Sequence, residues 1–367
     1  MDLCHINLSK ELRGGEVQML ALIDCLADRY EQSVIVRRDS PLHRHLADRA
    51  RSALDIIPVP SSVPAAVRAA RKFDLLHVHE GRSVQVGAWA SLFGTRFVVT
   101  RRVPSLPKHD LFTRWFYSRA SATIGVSETV SAIMRGYLGD SAVQTILDYV
   151  PTIPVDADRV AALRREHAGR VVVGHVGELH DAHKGQMVIL QAAREALKHH
   201  PDLLFVLVGG GCDADALHRQ GRDLPNVEFV GWVDNVGDYY SVMDVFVFPS
   251  RTEALGSAML EAMSFGLPVI AAAVGGIPEI VKPGINGALF AAGDAAGLLR
   301  HVVDIMTDAT LRQALGSGAR ATAAAHSVEA GAAQYADVYE RVAGRRVAAD
   351  SAVRVGAAMS GRRHGAD

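Results

Sequence analysis

The sequence predicts an α/β protein made of two doubly wound, parallel-sheet domains of Rossmann type that face each other across a cleft. The chain has 367 residues, of which 49% are hydrophobic and 22% are charged, so each domain can bury its own core. Short apolar runs alternate with helical segments, which is typical of parallel sheets. The alternation stops at the proline-containing segment 149–154 and then begins again.

In the first half of the chain, the short runs rich in Val, Ile and Leu predict buried strands. The predicted strands are 3–8, 33–37, 75–79, 97–100 and 123–126, and the predicted helices are 16–29, 65–71, 84–93, 110–119 and 128–137. Pro151 and Pro154 resist regular structure, so we expect residues 149–154 to link the two domains.

The second half repeats the pattern. The predicted strands are 171–176, 203–208, 226–230, 244–248 and 268–271, and the predicted helices are 185–199, 256–264, a short one at 276–280, and Ala-rich helices onward to 344. We therefore expect an N-terminal domain over 1–150, a C-terminal domain over 151–330, a final helix over 331–345 and a flexible tail over 346–367. Ligands of such sheets bind at the carboxyl ends of the strands, which favours a site in the cleft.

Composition excludes several functional classes. The net charge of −1 gives no electrostatic case for nucleic acid as a partner. The three cysteines (Cys4, Cys25 and Cys212) are scattered without zinc or redox spacing, which fits a reducing cytoplasm. We expect no secretory leader and no membrane span, because the N-terminus is short and polar and no apolar run reaches about 18 residues.

The stretch 249–268 is the strongest candidate for a binding site. Glu253 is predicted in the polar loop after the strand 244–248, and Glu261 on the helix that follows. The first turn of that helix carries Gly256 and Ser257, small residues that let a ligand reach free backbone N–H groups. An anion site with a carboxylate at each end suits a phosphate whose attached groups carry hydroxyls, as in a nucleotide sugar.

Other motifs have both a functional and a structural interpretation. Gly14 and Gly15 precede a helix and can admit phosphate oxygens to the backbone, or they can form a plain turn. Lys184 near a helix start can contact a phosphate, although a lone lysine is more often a solvated one. His79 at a strand end can bind a hydroxyl, although such histidines are more often structural. No nicotinamide fingerprint or P-loop occurs.

No motif predicts a metal site. The triplets Asp156-Ala-Asp158 and Asp213-Ala-Asp215 precede helical runs, which favours helix-capping roles over cation binding. The histidines 175, 180 and 183 match no known metal spacing and are interpreted as a polar loop.

The segment 96–119 carries six basic residues against Asp110 alone, with aromatic residues among them. Arg101, Arg102, Lys108 and Arg114 are the candidates for contact with an anionic lipid or a phosphorylated acceptor. A half-buried helix with snorkelling arginines is an equal alternative.

Taken together, an ordered set of motifs over residues 1–345 resembles the family 4 glycosyltransferases, the large retaining family with the GT-B fold. In chain order the set comprises Arg13-Gly-Gly-Glu16, Asp74-Leu-Leu-His-Val-His79, Val176-Gly177, Lys184-Gly185, Leu207-Val-Gly-Gly-Gly211, Val227-Glu-Phe-Val-Gly231, Pro249-Ser250, Glu253, Leu260-Glu-Ala262, Gly266-Leu-Pro-Val269, Gly275-Gly-Ile-Pro-Glu279 and Asn286-Gly287. Each motif alone is weak evidence for this resemblance, whereas the whole set in this order is strong evidence.

The resemblance implies an activated sugar donor, UDP- or GDP-linked, and no obligatory metal or cofactor. It implies catalytic roles for His79 at the reaction centre, Lys184 on the diphosphate and Glu253 on the sugar hydroxyls. The implied donor-binding residues are Gly14 and Gly15 at the diphosphate, His183 beside Lys184, backbone groups of Leu255, Gly256 and Ser257, and Glu261 at the ribose. A C-terminal helix near 335–342 is expected to cross back to the first domain.

One departure from the family pattern concerns Glu178, where many members place an arginine. The resemblance implies a glycan or lipid-linked acceptor and a role in bacterial cell-envelope polysaccharide or lipopolysaccharide synthesis, in the cytoplasm or at the inner face of the plasma membrane. Two alternatives stay open, a nucleotide-sugar epimerase and a non-catalytic partner subunit with the same fold, and Glu178 mildly favours the latter.

Overall fold

Seven strands and six helices form the first half of the computed structural model, which describes residues 1–48, 54–139 and 143–344. The described strands are β1 (Asp2–Asn7), β2 (Glu31–Arg37), β3 (Leu54–Val59), β4 (Leu75–Val78), β5 (Arg96–Arg101), β6 (Ala122–Gly125) and β7 (Val143–Thr145). The helices are α1 (Gly14–Cys25), α2 (Pro41–Asp48), α3 (Val63–Ala70), α4 (Ser83–Ser91), α5 (Leu111–Ser118) and α6 (Glu128–Leu138).

The second half contributes six described strands and ten helices. The strands are β8 (Val171–Val176), β9 (Leu203–Val208), β10 (Val227–Gly231), β11 (Val245–Phe248), β12 (Val269–Ala272) and β13 (Gly287–Phe290). The helices are α7 (Ala157–Glu166), α8 (Asp181–Lys184), α9 (Gln186–His199), α10 (Ala214–Gly221), α11 (Gly237–Tyr240), α12 (Ser257–Ser264), α13 (Ile277–Ile280), α14 (Ala295–Thr307), α15 (Ala309–Ala325) and α16 (Val328–Ala343).

The strands pair into two separate parallel sheets, which confirms the predicted fold class of two α/β domains. The first sheet has the order β3-β2-β1-β4-β5-β6-β7 and the second the order β10-β9-β8-β11-β12-β13. Strand order reverses between β1 and β4 in the first sheet and between β8 and β11 in the second. These are the switch points at which the loops diverge and leave a crevice.

The strands that sequence reasoning missed (β3, β7 and β13) all lie at sheet edges. Each is short or partly exposed, and β3 contains Pro58, so none shows the continuous apolar run of a central strand. The helix α2 was also missed, whereas α7 and α10 are the helical runs expected after the two Asp-x-Asp triplets; each of the three buries only two residues in the core. The differences between the predicted and the observed strands therefore fall at the sheet edges.

The last described helix, α16, packs into the core of the first sheet. Tyr335 and Tyr339 are fully buried there with Leu3 and Val98. The hydroxyl of Tyr339 lies 2.6 Å from Nδ1 of His77 on β4. The domain boundaries given above stay predictions, and the predicted tail over 346–367 lies outside the described residues. Among the described residues, no helix is long and apolar enough to span a bilayer.

Candidate functional site

Residues from the carboxyl ends of strands in both sheets lie close together, as expected of facing Rossmann-type sheets. Gly14 and Gly15 begin α1, which follows β1, and a Cβ added to Gly14 would lie 3.3 Å from Oγ of Ser257 in the other sheet's domain. A Cβ added to Gly15 would lie 3.3 Å from Cδ of Arg102, which follows β5. The structure therefore brings the glycine pair against the start of α12.

Lys184 and Glu253 form an ion pair at the centre of this region. Nζ of Lys184 donates to Oε2 of Glu253 at 2.6 Å, and the side chains are 23% and 14% exposed. The same ammonium lies 5.3 Å from the ring centroid of Phe248, at the end of β11. Glu253 also accepts from Oγ of Ser250 at 3.3 Å. An ammonium has three donors, so Lys184 keeps free N–H bonds for an anion.

The helix α12 presents its N-terminus to the same region. Gly256 caps it with a φ of 95°, a left-handed conformation that side chains disfavour. The amides of Ser257 and Ala258 have no carbonyl acceptor one turn earlier, so they remain available to an anion, whereas the amide of Met259 donates to the carbonyl of Gly256 at 3.0 Å. Leu255 is fully buried and anchors the loop before the helix. The anion site expected at the small residues of this first turn stays a prediction.

Lys184 is aimed by a sharp turn at Gly185, between α8 and α9. Gly185 has a φ of 69°, and a Cβ there would lie 2.2 Å from the carbonyl oxygen of Pro249. Only glycine allows this approach, which places α8 against the loop that carries Glu253. His183 is exposed on α8, and its Nδ1 lies 3.0 Å from Oγ1 of Thr252. The predicted donor residue His183 therefore lies at the rim of the site, with its Nε2 directed away from that contact.

Glu261 lies one to two turns along α12 from the anion site. Its Oε2 accepts from the hydroxyl of Tyr240 at 3.1 Å. Burial raises the pKa of the Glu261 carboxyl, although the Tyr240 hydrogen bond opposes the shift. A half-buried carboxylate with one oxygen held by a phenol leaves the other oxygen to accept ligand hydroxyls.

His79 ends a buried chain of hydrogen bonds on the opposite wall. Its Nε2 lies 2.9 Å from Nδ1 of His5, and Nε2 of His5 lies 3.0 Å from Oε1 of Gln32. The amide nitrogen of Gln32 donates to the carbonyl oxygen of Ile23 at 2.8 Å. Burial and the neighbouring histidines hold the pKa of His79 well below its usual range, so the ring is neutral.

This chain determines the tautomer of His79. The carbonyl of Ile23 can only accept, so the oxygen of Gln32 faces His5 and accepts from its Nε2–H. Nδ1 of His5 is then unprotonated, and His79 must donate to it from Nε2. The remaining Nδ1 of His79 carries a lone pair and faces Nη1 of Arg102 at 3.4 Å. His79 therefore acts as a hydrogen-bond acceptor on the side of the cleft.

The structure places neither Arg101 nor Arg102 on the exposed face expected for lipid contact, and acceptor contact of Arg102 stays a prediction. Arg101 is 8% exposed and donates to the hydroxyl of Tyr117 at 3.0 Å, so it is a structural residue. Arg102 has a side chain only 11% exposed and pairs with Asp148 at 3.4 Å. Its Nη2 is buried without a hydrogen-bond partner among the described residues. Arg102 thus lies in the cleft, between Gly15 and His79. No pattern in the sequence distinguished its position from that of Arg101.

Lys108 and Arg114 are exposed, as a surface role requires. Next to them, Leu111 and Phe112 at the start of α5 are 87% and 72% exposed. The other face of α5 packs on α4, where Trp115 lies 5.2 Å from Trp89 between ring centroids. One face of α5 is therefore packed and the other is open, and contact of the open face with a lipid or an acceptor stays a prediction.

Glu279, on α13, makes contacts between the domains that sequence reasoning missed. Its carboxylate accepts from the amides of Glu128 and Thr129 at 2.7 and 3.0 Å, at the start of α6 in the first domain. A carboxylate at a helix N-terminus is stabilising there. On the other side of the cleft, Arg13 donates to Glu178 at 3.2 Å. The residue that departs from the family pattern is thus paired with an arginine of the opposite domain.

The two Asp-x-Asp triplets differ in role. Asp156 caps α7 by accepting from the amides of Asp158 and Arg159, which confirms the capping prediction. Asp213 precedes α10 without capping it, and its Oδ2 instead accepts from the amide of Asp181 at 2.8 Å. Asp213 therefore occupies the N-cap position without a side-chain cap and instead joins two loops, whereas Asp215 lies in the first turn of α10 as expected.

Two family models match this chain. The model described as glycosyl transferases group 1 matches residues 170–308, and the model of a glycosyl transferase 4-like domain matches residues 13–149. The chain is 28% identical over 357 residues to a phosphatidyl-myo-inositol mannosyltransferase of Mycolicibacterium smegmatis, covering 90% of this chain and 91% of that protein. It is 27% identical over 340 residues to LpsE, a lipopolysaccharide core biosynthesis glycosyltransferase of Rhizobium meliloti, covering 86% and 92%.

Solved structures share the architecture. HepE of Anabaena, solved with UDP and glucose, superposes with a TM-score of 0.80 at 23% identity, covering 93% of this chain and 99% of that one. Sucrose-phosphate synthase of Thermosynechococcus elongatus superposes with a TM-score of 0.77 at 22% identity, covering 93% and 99%. At these identities the likeness establishes the fold. The two matched family models lie on the two sheets described above. The chain therefore belongs to the group 1 glycosyltransferases, has their two-domain GT-B fold, and is a transferase enzyme.

Proposed function

We propose that this glycosyltransferase moves a sugar from a UDP- or GDP-linked donor to a hydroxyl of a glycan or lipid-linked acceptor, with retention of configuration. One observation carries the proposal. The Gly14–Gly15 turn of the first domain lies against the N-terminus of α12, and Lys184 pairs with Glu253 in the loop that leads into that helix. HepE was solved with UDP-glucose, and relatives are named for mannosyl transfer to phosphatidylinositol or for lipopolysaccharide core synthesis.

The donor diphosphate is assigned to the space between Gly14 and the start of α12. Backbone amides of Gly256 and Ser257 and the ammonium of Lys184 supply positive potential there. Arg102 adds a second cation, because its side chain lies next to Gly15 and its Nη2 has no hydrogen-bond partner among the described residues. This compensates for Glu178, which stands where many family members carry an arginine.

The two carboxylates bind the hydroxyl-bearing parts of the donor. Glu253 contacts the diphosphate-binding Lys184, so hydroxyls of the transferred sugar lie within its reach. Glu261 lies further along α12 beside Tyr240, and its free oxygen accepts from the ribose hydroxyls. The unprotonated Nδ1 of His79 accepts a hydrogen bond from the sugar or the acceptor hydroxyl, which then replaces the contact of Nδ1 with Arg102.

Chemistry at this site consists of stabilising a leaving diphosphate. When the bond between the sugar and the phosphate breaks, negative charge develops on the β-phosphate, and Lys184, Arg102 and the α12 amides stabilise it. The acceptor hydroxyl attacks from the face that the diphosphate leaves, and its proton passes to the departing phosphate oxygen. The anomeric carbon gains the acceptor oxygen as it loses the phosphate oxygen, so the step needs no protein nucleophile.

The acceptor side is assigned to the first domain. Leu111 and Phe112 are exposed beside Lys108 and Arg114, a combination suited to peripheral contact with an anionic membrane surface. We propose that this face brings the enzyme to a lipid-linked acceptor at the cytoplasmic surface of the membrane. Flotation with vesicles tests this, since replacing Phe112 and Lys108 together should abolish binding to anionic vesicles and leave donor binding unchanged.

The donor proposal is tested by thermal shift with UDP, GDP and ADP and their sugars. A ligand that binds only the folded state stabilises it by RT ln(1 + [L]/Kd), about 2.7 kcal/mol at a hundredfold excess over Kd. We expect a clear rise in Tm with UDP or GDP and loss of the rise in Lys184→Ala. No stabilisation by any nucleotide at millimolar concentration would refute the donor assignment.

A further inference from the structure

A cluster of metal-ligating side chains lies outside the proposed donor site, where the loop after β8 meets the loop after β9. His180, Cys212 and Asp213 each offer one ligand atom, and the three atoms lie within 4.8 Å of one another. His180 and Asp213 are half-buried, and Cys212 is exposed. The site is therefore open to solvent on the side of the thiol.

The backbone holds the two loops together independently of any ligand. The amide of Leu179 donates to the carbonyl of Gly210 at 2.9 Å, and the amide of Asp213 donates to the carbonyl of Leu179 at 3.0 Å. Oδ2 of Asp213 accepts from the amide of Asp181 at 2.8 Å. These three hydrogen bonds fix the ligand-bearing residues side by side, and the last one orients the carboxylate as outer-shell contacts do in metal sites.

The donor atoms of the cluster are available for coordination. Among the described residues, no hydrogen bond engages the ring nitrogens of His180 or the sulfur of Cys212; the His180 ring packs edge-on against His183, 4.5 Å between centroids. A second cluster, His5, His77 and His79, differs in this respect. There both nitrogens of His5 and of His77 are already hydrogen-bonded, so that cluster is a closed polar network and cannot chelate.

The chemistry of the three ligands selects the class of ion. Thiolate and imidazole favour Zn²⁺ and similar thiophilic divalent cations, whereas Mg²⁺ and Ca²⁺ favour oxygen ligands. A tetrahedral ion with Zn²⁺-like bond lengths separates its donor atoms by roughly 3.4–3.6 Å. Small rotations of the exposed Cys212 and half-buried His180 side chains suffice to reach that spacing from the observed arrangement.

We propose that His180, Cys212 and Asp213 form a binding site for a thiophilic divalent cation such as Zn²⁺, with the fourth position open to water. Cys212 ligates as the thiolate. The site includes the residue before α8, the short helix that carries Lys184. A bound ion fixes that helix to the loop after β9.

Cobalt spectroscopy of the full-length, untagged protein tests this site without reference to its activity. Co²⁺ is titrated under anaerobic conditions, and we expect one equivalent to produce a thiolate-to-cobalt charge-transfer band and the visible bands of tetrahedral Co²⁺. Zn²⁺ should abolish these bands by displacement. Cys212→Ser should lose the charge-transfer band, whereas the matched control Cys25→Ser should keep it.

Two further variants check the other ligands. His180→Ala and Asp213→Asn should each weaken Co²⁺ binding at least about tenfold, the lower end of what even outer-shell substitutions cost a metal site. Asn keeps an oxygen for the amide of Asp181, so the loops stay joined. Absence of a charge-transfer band in the wild-type protein, or its persistence in Cys212→Ser, would overturn the proposal.

Discussion

Replacing Glu253 by Gln separates the roles of the Lys184–Glu253 pair more sharply than removing the lysine. The carboxylate lies 2.6 Å from Nζ of Lys184, and both side chains are largely buried. In the proposed complex the diphosphate shares this ammonium with Glu253. The substitution keeps the size of the side chain and removes its negative charge. It should therefore strengthen nucleotide binding and weaken the hydrogen bonds to the hydroxyls of the transferred sugar.

The expected magnitude follows from the geometry. A phosphate oxygen and a carboxylate oxygen that contact the same ammonium lie roughly 5 Å apart, and two unit charges at that distance repel by about 3 kcal/mol at an effective dielectric constant of 20. Part of this gain is lost because the amide holds Lys184 less firmly in place. We therefore expect a net gain of about 1 kcal/mol, or roughly fivefold tighter binding of the free nucleoside diphosphate. Turnover should fall, because an amide accepts sugar hydroxyl hydrogen bonds less strongly than a carboxylate does.

Isothermal titration with UDP and GDP measures the first effect, and steady-state transfer measures the second. Glu195→Gln is the matched control, since Glu195 also accepts from a lysine at 2.6 Å, Lys198, but on the exposed face of α9. The control should change neither quantity. Nucleotide binding that is weakened tenfold or more in Glu253→Gln would show that Glu253 supports the nucleotide, and the assignment to the sugar would be wrong.

Further predictions concern four other residues. Lys184→Met should lower kcat by about 10²–10³-fold, the scale of losing one preorganised donor, and undiminished turnover would remove its role at the diphosphate. Glu279→Ala removes the hydrogen bonds that join α13 to α6 across the cleft, so small-angle scattering should show a larger radius of gyration without ligand; an unchanged radius would contradict its role as a clamp between domains. Nitrogen-15 spectra should show an unprotonated Nδ1 on His79, and a proton at that atom would refute the tautomer derived from Gln32. Burial lowers the pKa of His175 to about 4, so between pH 6.5 and 4 the unfolded state binds more protons and stability falls as pH falls. When the pH falls from 6.5 to 5, the free energy of unfolding should therefore fall by about 1.5 kcal/mol less in His175→Gln than in the wild type. Denaturant titration at the two pH values measures this, and an equal fall in both proteins would refute it.

The sequence by itself determined the fold class and the central strands. Strands such as β9 and β11 are buried on both faces, so they appear as continuous apolar runs that need no tertiary information. The edge strands β3, β7 and β13 each pair with one neighbouring strand only and contain no continuous apolar run. Only the pairing seen in the sheet therefore identifies them as strands. The proximity of Glu253, Gly256 and Glu261 was also predictable, because all three lie within nine residues of one strand–loop–helix unit.

Only the tertiary structure decided contacts between residues far apart in the chain. Arg101 and Arg102 are neighbours in sequence, yet successive side chains at the end of β5 point to opposite faces of the sheet. Arg101 therefore packs against Tyr117, whereas Arg102 lies in the cleft beside His79. Whether Nδ1 of His79 accepts a hydrogen bond depends on Gln32, 47 positions away, through His5, which is hydrogen-bonded to both residues. Sequence patterns report which face of an element is buried, whereas the direction of a hydrogen bond between two elements depends on how the sheets place them.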